Sequence, residues 1–147
     1  MIAFNLDDVR LNEVPDGSIR VEFPLQSVHG TASFAAVVFE VEPGNALATH
    51  TDSAEEVLLV LAGEGEAHVG GVAGPIRAGD VAVVPALIPH GVRNTGETTL
   101  RVIGFFSSST VMSTFEHGIG PEGEQVVAWG AGAPLFAALE EPAVAVA

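Results

Sequence analysis

Short apolar runs, each cut off by glycine or proline, constrain this chain more than any other feature. Ser18–Phe23 (SIRVEF), Ser33–Val41 (SFAAVVFEV), Glu55–Leu61 (EEVLLVL), Ala67–Val69, Val81–Val84 and Thr98–Phe106 have strand lengths, and most are rich in Val and Phe. Pro15-Asp16-Gly17, Pro43-Gly44-Asn45 and Gly63-Glu64-Gly65 punctuate them as turns. Many short strands between turn signals predict an all-β sandwich or barrel. Only Pro134–Glu141 (PLFAALEE) reads as a helix, with Pro at its start and apolar residues at helical spacing. Pro142–Ala147 reads as a frayed tail or a packing segment. No repeat or linker composition divides the 147 residues, so a single domain is expected.

Strand alternation assigns faces. Ala35, Val37, Phe39 and Val41 share one side, with Glu40 and Glu42 on the other. In the last long run, an outward Arg101 in a surface or interface ion pair puts Leu100, Val102, Gly104 and Phe106 inside. Glu55–Leu61 is apolar on both faces beyond its start, which predicts cover on both sides.

Charge and composition exclude several kinds of chemistry. The formal net charge is −14, and the five basic residues are all arginine: Arg10, Arg20, Arg77, Arg93 and Arg101. Nucleic acid and anionic membrane are therefore not expected partners, since phosphates need cations. With no lysine, Schiff-base and P-loop chemistry are absent. With no cysteine, disulfides and thiolate sites are absent too. No stretch is long and apolar enough to suggest a membrane span. The first residues, MIAFNLDDVR, carry acids where a leader would carry bases, so a cytoplasmic location is expected.

The chemistry-bearing residues are concentrated. His50 and Asp52 are two apart and share a strand face. One of Glu55 and Glu56 must face the same side after the turn at Asp52-Ser53-Ala54. His90 follows Pro85 and Pro89 and shares a face with Val92 and Asn94. A closed sheet can bring these groups to one interior point, where imidazole and carboxylate suit Mn, Fe, Ni, Cu or Zn. His68 follows Glu66 at strand spacing on a solvated face, and His29 and His117 lie in loop-like segments, so none is expected in a site.

At these spacings the chain resembles the cupin superfamily. Its first motif is matched by Gly44-NALAT-His50-Thr51-Asp52-SAE-Glu56-VLLVLA-Gly63, and its second by Gly79-DVAVV-Pro85-Ala86-Leu87-Ile88-Pro89-His90-GVR-Asn94. The resemblance implies a cupin jelly-roll β-barrel with a short C-terminal helix: one domain over 1–147, with a core barrel about 30–110. It implies one divalent metal ion, Fe or Mn first and Zn or Ni next, with His50, Glu56 and His90 as ligands. It also selects Glu56 over Glu55. There are two departures. Asp52 stands where a second His is usual, as a direct ligand, a ligand through water or a partner behind the ligands. Leu87 stands where Gly is usual.

The resemblance further implies a homodimer formed through an outer sheet face and a metal-dependent enzyme with a small-molecule substrate. Asp52 and Glu56 are the candidate catalytic groups, and Phe39, Val41 and Phe106 the candidate pocket walls. No Arg is expected to point inward, so the expected substrate is neutral and largely apolar, not a phosphosugar or small dicarboxylate. Dioxygenation is the first functional reading. A non-redox isomerase, lyase or cyclase and a non-catalytic small-molecule-binding protein are the alternatives.

Overall fold

The computed structural model describes residues 1–129. The chain runs through β1 (Asn12–Glu13), β2 (Arg20–Leu25), β3 (Ala35–Val41), β4 (Ala46–Asp52), β5 (Glu56–Ala62) and β6 (Glu64–Val69). It continues through β7 (Val72–Arg77), β8 (Val81–Val84), β9 (His90–Arg93), β10 (Leu100–Phe106), β11 (Val111–Phe115) and β12 (Val126–Trp129). These strands form two six-stranded sheets in the orders β1-β2-β3-β10-β5-β8 and β12-β11-β4-β9-β6-β7. Every described pairing is antiparallel. The architecture is the all-β jelly roll expected from the sequence, while Pro134–Glu141 lies outside the described residues. No helix among the described residues is long and apolar enough to cross a membrane.

The core lies between the sheets. Val37, Phe39, Val41, Leu58, Val60, Leu100, Val102 and Phe106 bury one face of the first sheet against Val92, Val111, Phe115 and Val127 of the second. Hydrophobic burial of this kind is the main drive for folding. β7 escaped the sequence reading because VAGPIR carries Gly and Pro, which read as a turn. Its place at a sheet edge explains why Pro75 is tolerated there. Pro24 likewise falls where the β2–β3 register shifts, between Glu22 and Leu25.

Several motif residues hold turns. Gly63 has φ 82°, and a Cβ there would press on the Thr99 carbonyl, so both conformation and space demand glycine. Leu87 has φ 64°, the left-handed region, which gives the physical reason glycine suits this position. Its backbone N–H donates to the Asp52 carbonyl at 2.8 Å, so the turn before β9 is tied to the end of β4. Asn94 is almost completely buried, and its Nδ2 donates to the carbonyls of Val41 (2.7 Å) and Thr98 (2.8 Å). This side chain joins the end of β9 to β3 in the opposite sheet.

The outer face of the first sheet divides in two. Arg101 points outward, as expected, and donates to the Leu6 carbonyl at 2.6 Å and to Asp7 at 3.2 Å. That ties the N-terminal segment over β10, and the outward Ala36, Val38 and Ile103 are buried. The β5–β8 half is more open. Val57, Phe105, Val83 and Val81 are 37%, 41%, 56% and 62% exposed, so the described residues do not cover the outer face of β5. The sequence showed that this face is apolar, but not whether this chain or another covers it.

Among the described residues, Glu22 is the buried carboxylate outside the candidate site. It faces away from the core on β2, where Phe23 N–H donates to Oε1 at 2.7 Å and Asn12 Nδ2 to Oε2 at 3.0 Å. Burial raises its pKa above the usual 4.5, outweighing these two hydrogen bonds. The native state therefore holds the Glu22 proton more tightly than the unfolded chain, and ionised Glu22 opposes folding. Glu22→Gln is expected to raise the melting temperature above that of the unmutated chain at pH 7–8. The difference should shrink as the pH falls through the raised pKa toward 4.5. Thermal melts of both proteins across this range check it.

Candidate metal centre

Four polar side chains point into one end of the core. His50 and Asp52 project inward from β4, and His90 from the adjacent β9, directly opposite His50 in register. All three belong to the second sheet. Glu56 reaches toward them from β5 of the first sheet, across the sandwich. His50, Asp52, Glu56 and His90 are 7%, 2%, 3% and 2% exposed, whereas Glu55 is exposed.

Local backbone orients each ring. His50 Nδ1 lies 2.8 Å from the Ala48 carbonyl, and His90 Nδ1 lies 2.9 Å from the Ile88 carbonyl. A carbonyl only accepts, so Nδ1 carries the proton and Nε2 faces the cluster. The imidazoles sit 4.2 Å apart by centroid, and Phe115 stacks on His50 at 4.6 Å.

Asp52 Oδ2 is the centre of this arrangement. It lies 3.5 Å from His50 Nε2 and 3.2 Å from His90 Nε2. Its other oxygen, Oδ1, accepts a hydrogen bond from Ser113 Oγ. Asp52 Oδ2 and His90 Nε2 are both buried, yet neither has a hydrogen-bond partner. At 3.2 Å the two atoms interact electrostatically, but neither makes a well-aligned hydrogen bond, which suits a cation placed between them. Among the described residues, His50, Asp52 and His90 form the group whose donor atoms all lie within 4.8 Å of one another. Two imidazoles and a carboxylate on one side of a cation fit Fe, Mn, Zn or Ni.

Glu56 stands outside that group, although its Oε2 is 3.6 Å from His90 Nε2. Its room comes from Gly104 on β10, where a Cβ would collide with Glu56 Oε1. The spacing of the motif carried no information on which sheet each carboxylate occupies, and that separates the two.

The electrostatics follow this layout. Burial works against ionisation of Asp52, but the His50 and His90 imidazoles, with Ser113, hold it well below the usual carboxylate range. Burial raises Glu56, and the nearby Asp52 charge raises it further, against the lowering by His90 and His50. Burial also works against a charged His90, yet Asp52 and Glu56 push it up to about 10. Asp52 is therefore the ready anion of the pair, while Glu56 is the carboxyl that more readily keeps a proton.

The four polar groups line a cavity whose other walls are largely apolar. Val14, Ile19, Val21, Phe23, Val37, Phe39, Leu47, Leu58, Val92, Phe106, Phe115 and Ile119 line it, with Ser113 as the further polar group. Phe39 and Phe106 are in this lining, whereas Val41 is fully buried in the core beyond it. None of the five arginines lines it. His68 lies apart, with Nε2 3.1 Å from Thr49 Oγ1.

Comparison with known proteins places this geometry in context. The family model described as a cupin domain matches residues 37–106. Protein SchB of Streptomyces halstedii is 31% identical over 104 residues, 70% of this chain and 73% of SchB. An oxalate-binding protein of Thermotoga maritima is 33% identical over 79 residues, 53% of this chain and 64% of that protein. The solved oxalate decarboxylase of Lactobacillus farciminis superposes with a TM-score of 0.68 at 21% identity, covering 77% of this chain. The match spans only 35% of that decarboxylase, so this chain corresponds to about a third of it.

Proposed function

The chain belongs to the cupin superfamily, and on that footing we propose that it is a metal-dependent enzyme acting on a small, largely apolar organic molecule. One observation carries this reading: two imidazole nitrogens and Asp52 Oδ2 converge, without hydrogen-bond partners for Asp52 Oδ2 and His90 Nε2, in the wall of a largely apolar cavity. His50, Asp52 and His90 hold the cation. When bound, that ion supplies Lewis acidity and, if it is iron or manganese, oxygen-dependent redox chemistry.

The protein's own part is positioning. Phe39, Phe106 and the Val and Leu walls exclude water and orient an apolar substrate body. Glu56 faces the cation's side of the cavity from the other sheet, placed to take or return a proton at Oε2. Several of the proteins this chain resembles carry oxalate in their names. The lining here offers no Arg or Lys beside the cluster, so a dianion would leave its second carboxylate against apolar walls. This favours a neutral substrate.

Dioxygenation is the first reading, because a two-imidazole, one-carboxylate set leaves positions open on the ion. A non-redox isomerase, lyase or cyclase is the second, favoured by Glu56 as a buried carboxyl with a raised pKa outside the ligand group. The test is oxygen uptake by iron-loaded protein with a panel of phenols, diketones and oxalate. Uptake with the apolar compounds is expected. Product formation without uptake would move the function to the second reading. Turnover of oxalate alone would overturn the substrate class, and no turnover by fully loaded protein would leave a binding role.

We further propose a homodimer through the outer face of β5, β8 and β10, where the described residues leave Val57, Val81, Val83 and Phe105 exposed. Val83→Glu is expected to halve the mass seen by sedimentation equilibrium. A monomeric unmutated chain would sink this part.

A further inference from the structure

We propose that Ser113 is a positioning residue that sets which oxygen of Asp52 is presented to the cation. This inference rests on the reading of His50, Asp52 and His90 as ligands. β11 pairs with β4 in a register that puts Ser113 opposite Asp52 and Phe115 opposite His50. Both ligands of β4 therefore have an inward partner on the same neighbouring strand. Ser113 is 3% exposed and lines the cavity.

The Ser113 hydroxyl donates to Asp52 Oδ1. A terminal carboxylate torsion is broad and two-fold, so packing alone fixes it weakly. With Oδ1 held, Oδ2 is turned to both Nε2 atoms, at 3.5 Å and 3.2 Å. Phe115 restrains the second ligand by stacking on His50 with an interplanar angle of 19°. β11 lies beyond the matched residues 37–106, so neither sequence motif reaches it. Asp in place of His at position 52 makes this device useful, because a carboxylate has two competing oxygens whereas a His has its ring turned by its Nδ1 contact.

The experiment is cobalt(II) titration of the whole chain followed by visible absorption, with melting of the metal-free protein alongside. Unmutated protein should bind one cobalt. Ser113→Ala should weaken it by about 10-fold or more and shift the absorption bands. Ser113→Thr, which keeps the hydroxyl, should restore both, and metal-free melting should not track the affinities. If Ser113→Ala does not fold, Ser113→Val, which matches threonine in shape but has no hydroxyl, should show the same loss. Unchanged affinity and spectrum in Ser113→Ala or Ser113→Val would overturn the positioning role. Absence of cobalt binding by the unmutated chain would instead overturn the ligand reading beneath it.

Discussion

Asp52→Ala is expected to lower metal affinity by more than about 100-fold, beyond the range seen when groups behind a ligand are removed. Asp52 Oδ2 lies closer to His90 Nε2 than Glu56 Oε2 does, at 3.2 Å against 3.6 Å, and it also neighbours His50 Nε2. It is also the carboxylate held well below the usual range, so it meets a cation already charged. Removing it leaves two imidazoles, with Glu56 on the opposite sheet. Glu56→Ala should keep most of the metal. Metal content after purification without added ions, compared for both variants, checks the contrast. Equal loss in both would mean that Glu56 crosses the sandwich to bind.

Glu56→Gln carries the second large effect, on turnover and not on metal. A positioned general acid or base contributes about 100- to 10,000-fold. Glu56 is buried, raised in pKa and lodged in the space Gly104 leaves, so its carboxyl is fixed facing the cluster. Glutamine retains the shape but cannot take up and return the proton. Turnover should fall by at least about 100-fold while metal content stays stoichiometric. Steady-state rates on metal-matched samples measure it. Turnover within a few-fold of the unmutated chain would remove Glu56 from proton transfer.

The legible part of this protein was what repeats or alternates. Valine- and phenylalanine-rich runs between turns gave an all-β chain, and the spacing of Gly44, His50, Glu56, Gly63, Gly79, Pro85, His90 and Asn94 pointed to the cupin barrel. Period-two alternation put His50 and Asp52 on one face, and Gly104 on the same side as Phe106. What alternation cannot give is distance across the sandwich. Glu56 follows Asp52 closely in sequence, yet the turn between them carries the chain to the other sheet. Ser113 was invisible for the same reason. It is 61 residues from Asp52, and nothing local marks a serine in VMSTF as the one that meets it. The side of β5 that the described residues leave open was likewise beyond reach, because an apolar face looks the same whatever covers it.

Anomalous diffraction from crystals soaked in manganese or iron tests the ligand set most directly. The expected result is one strong peak about 2 Å from His50 Nε2, His90 Nε2 and Asp52 Oδ2, with Ser113 still bonded to Oδ1. A peak held by Glu56 with Asp52 turned away, or no peak among these residues in protein shown to carry the metal, would contradict it.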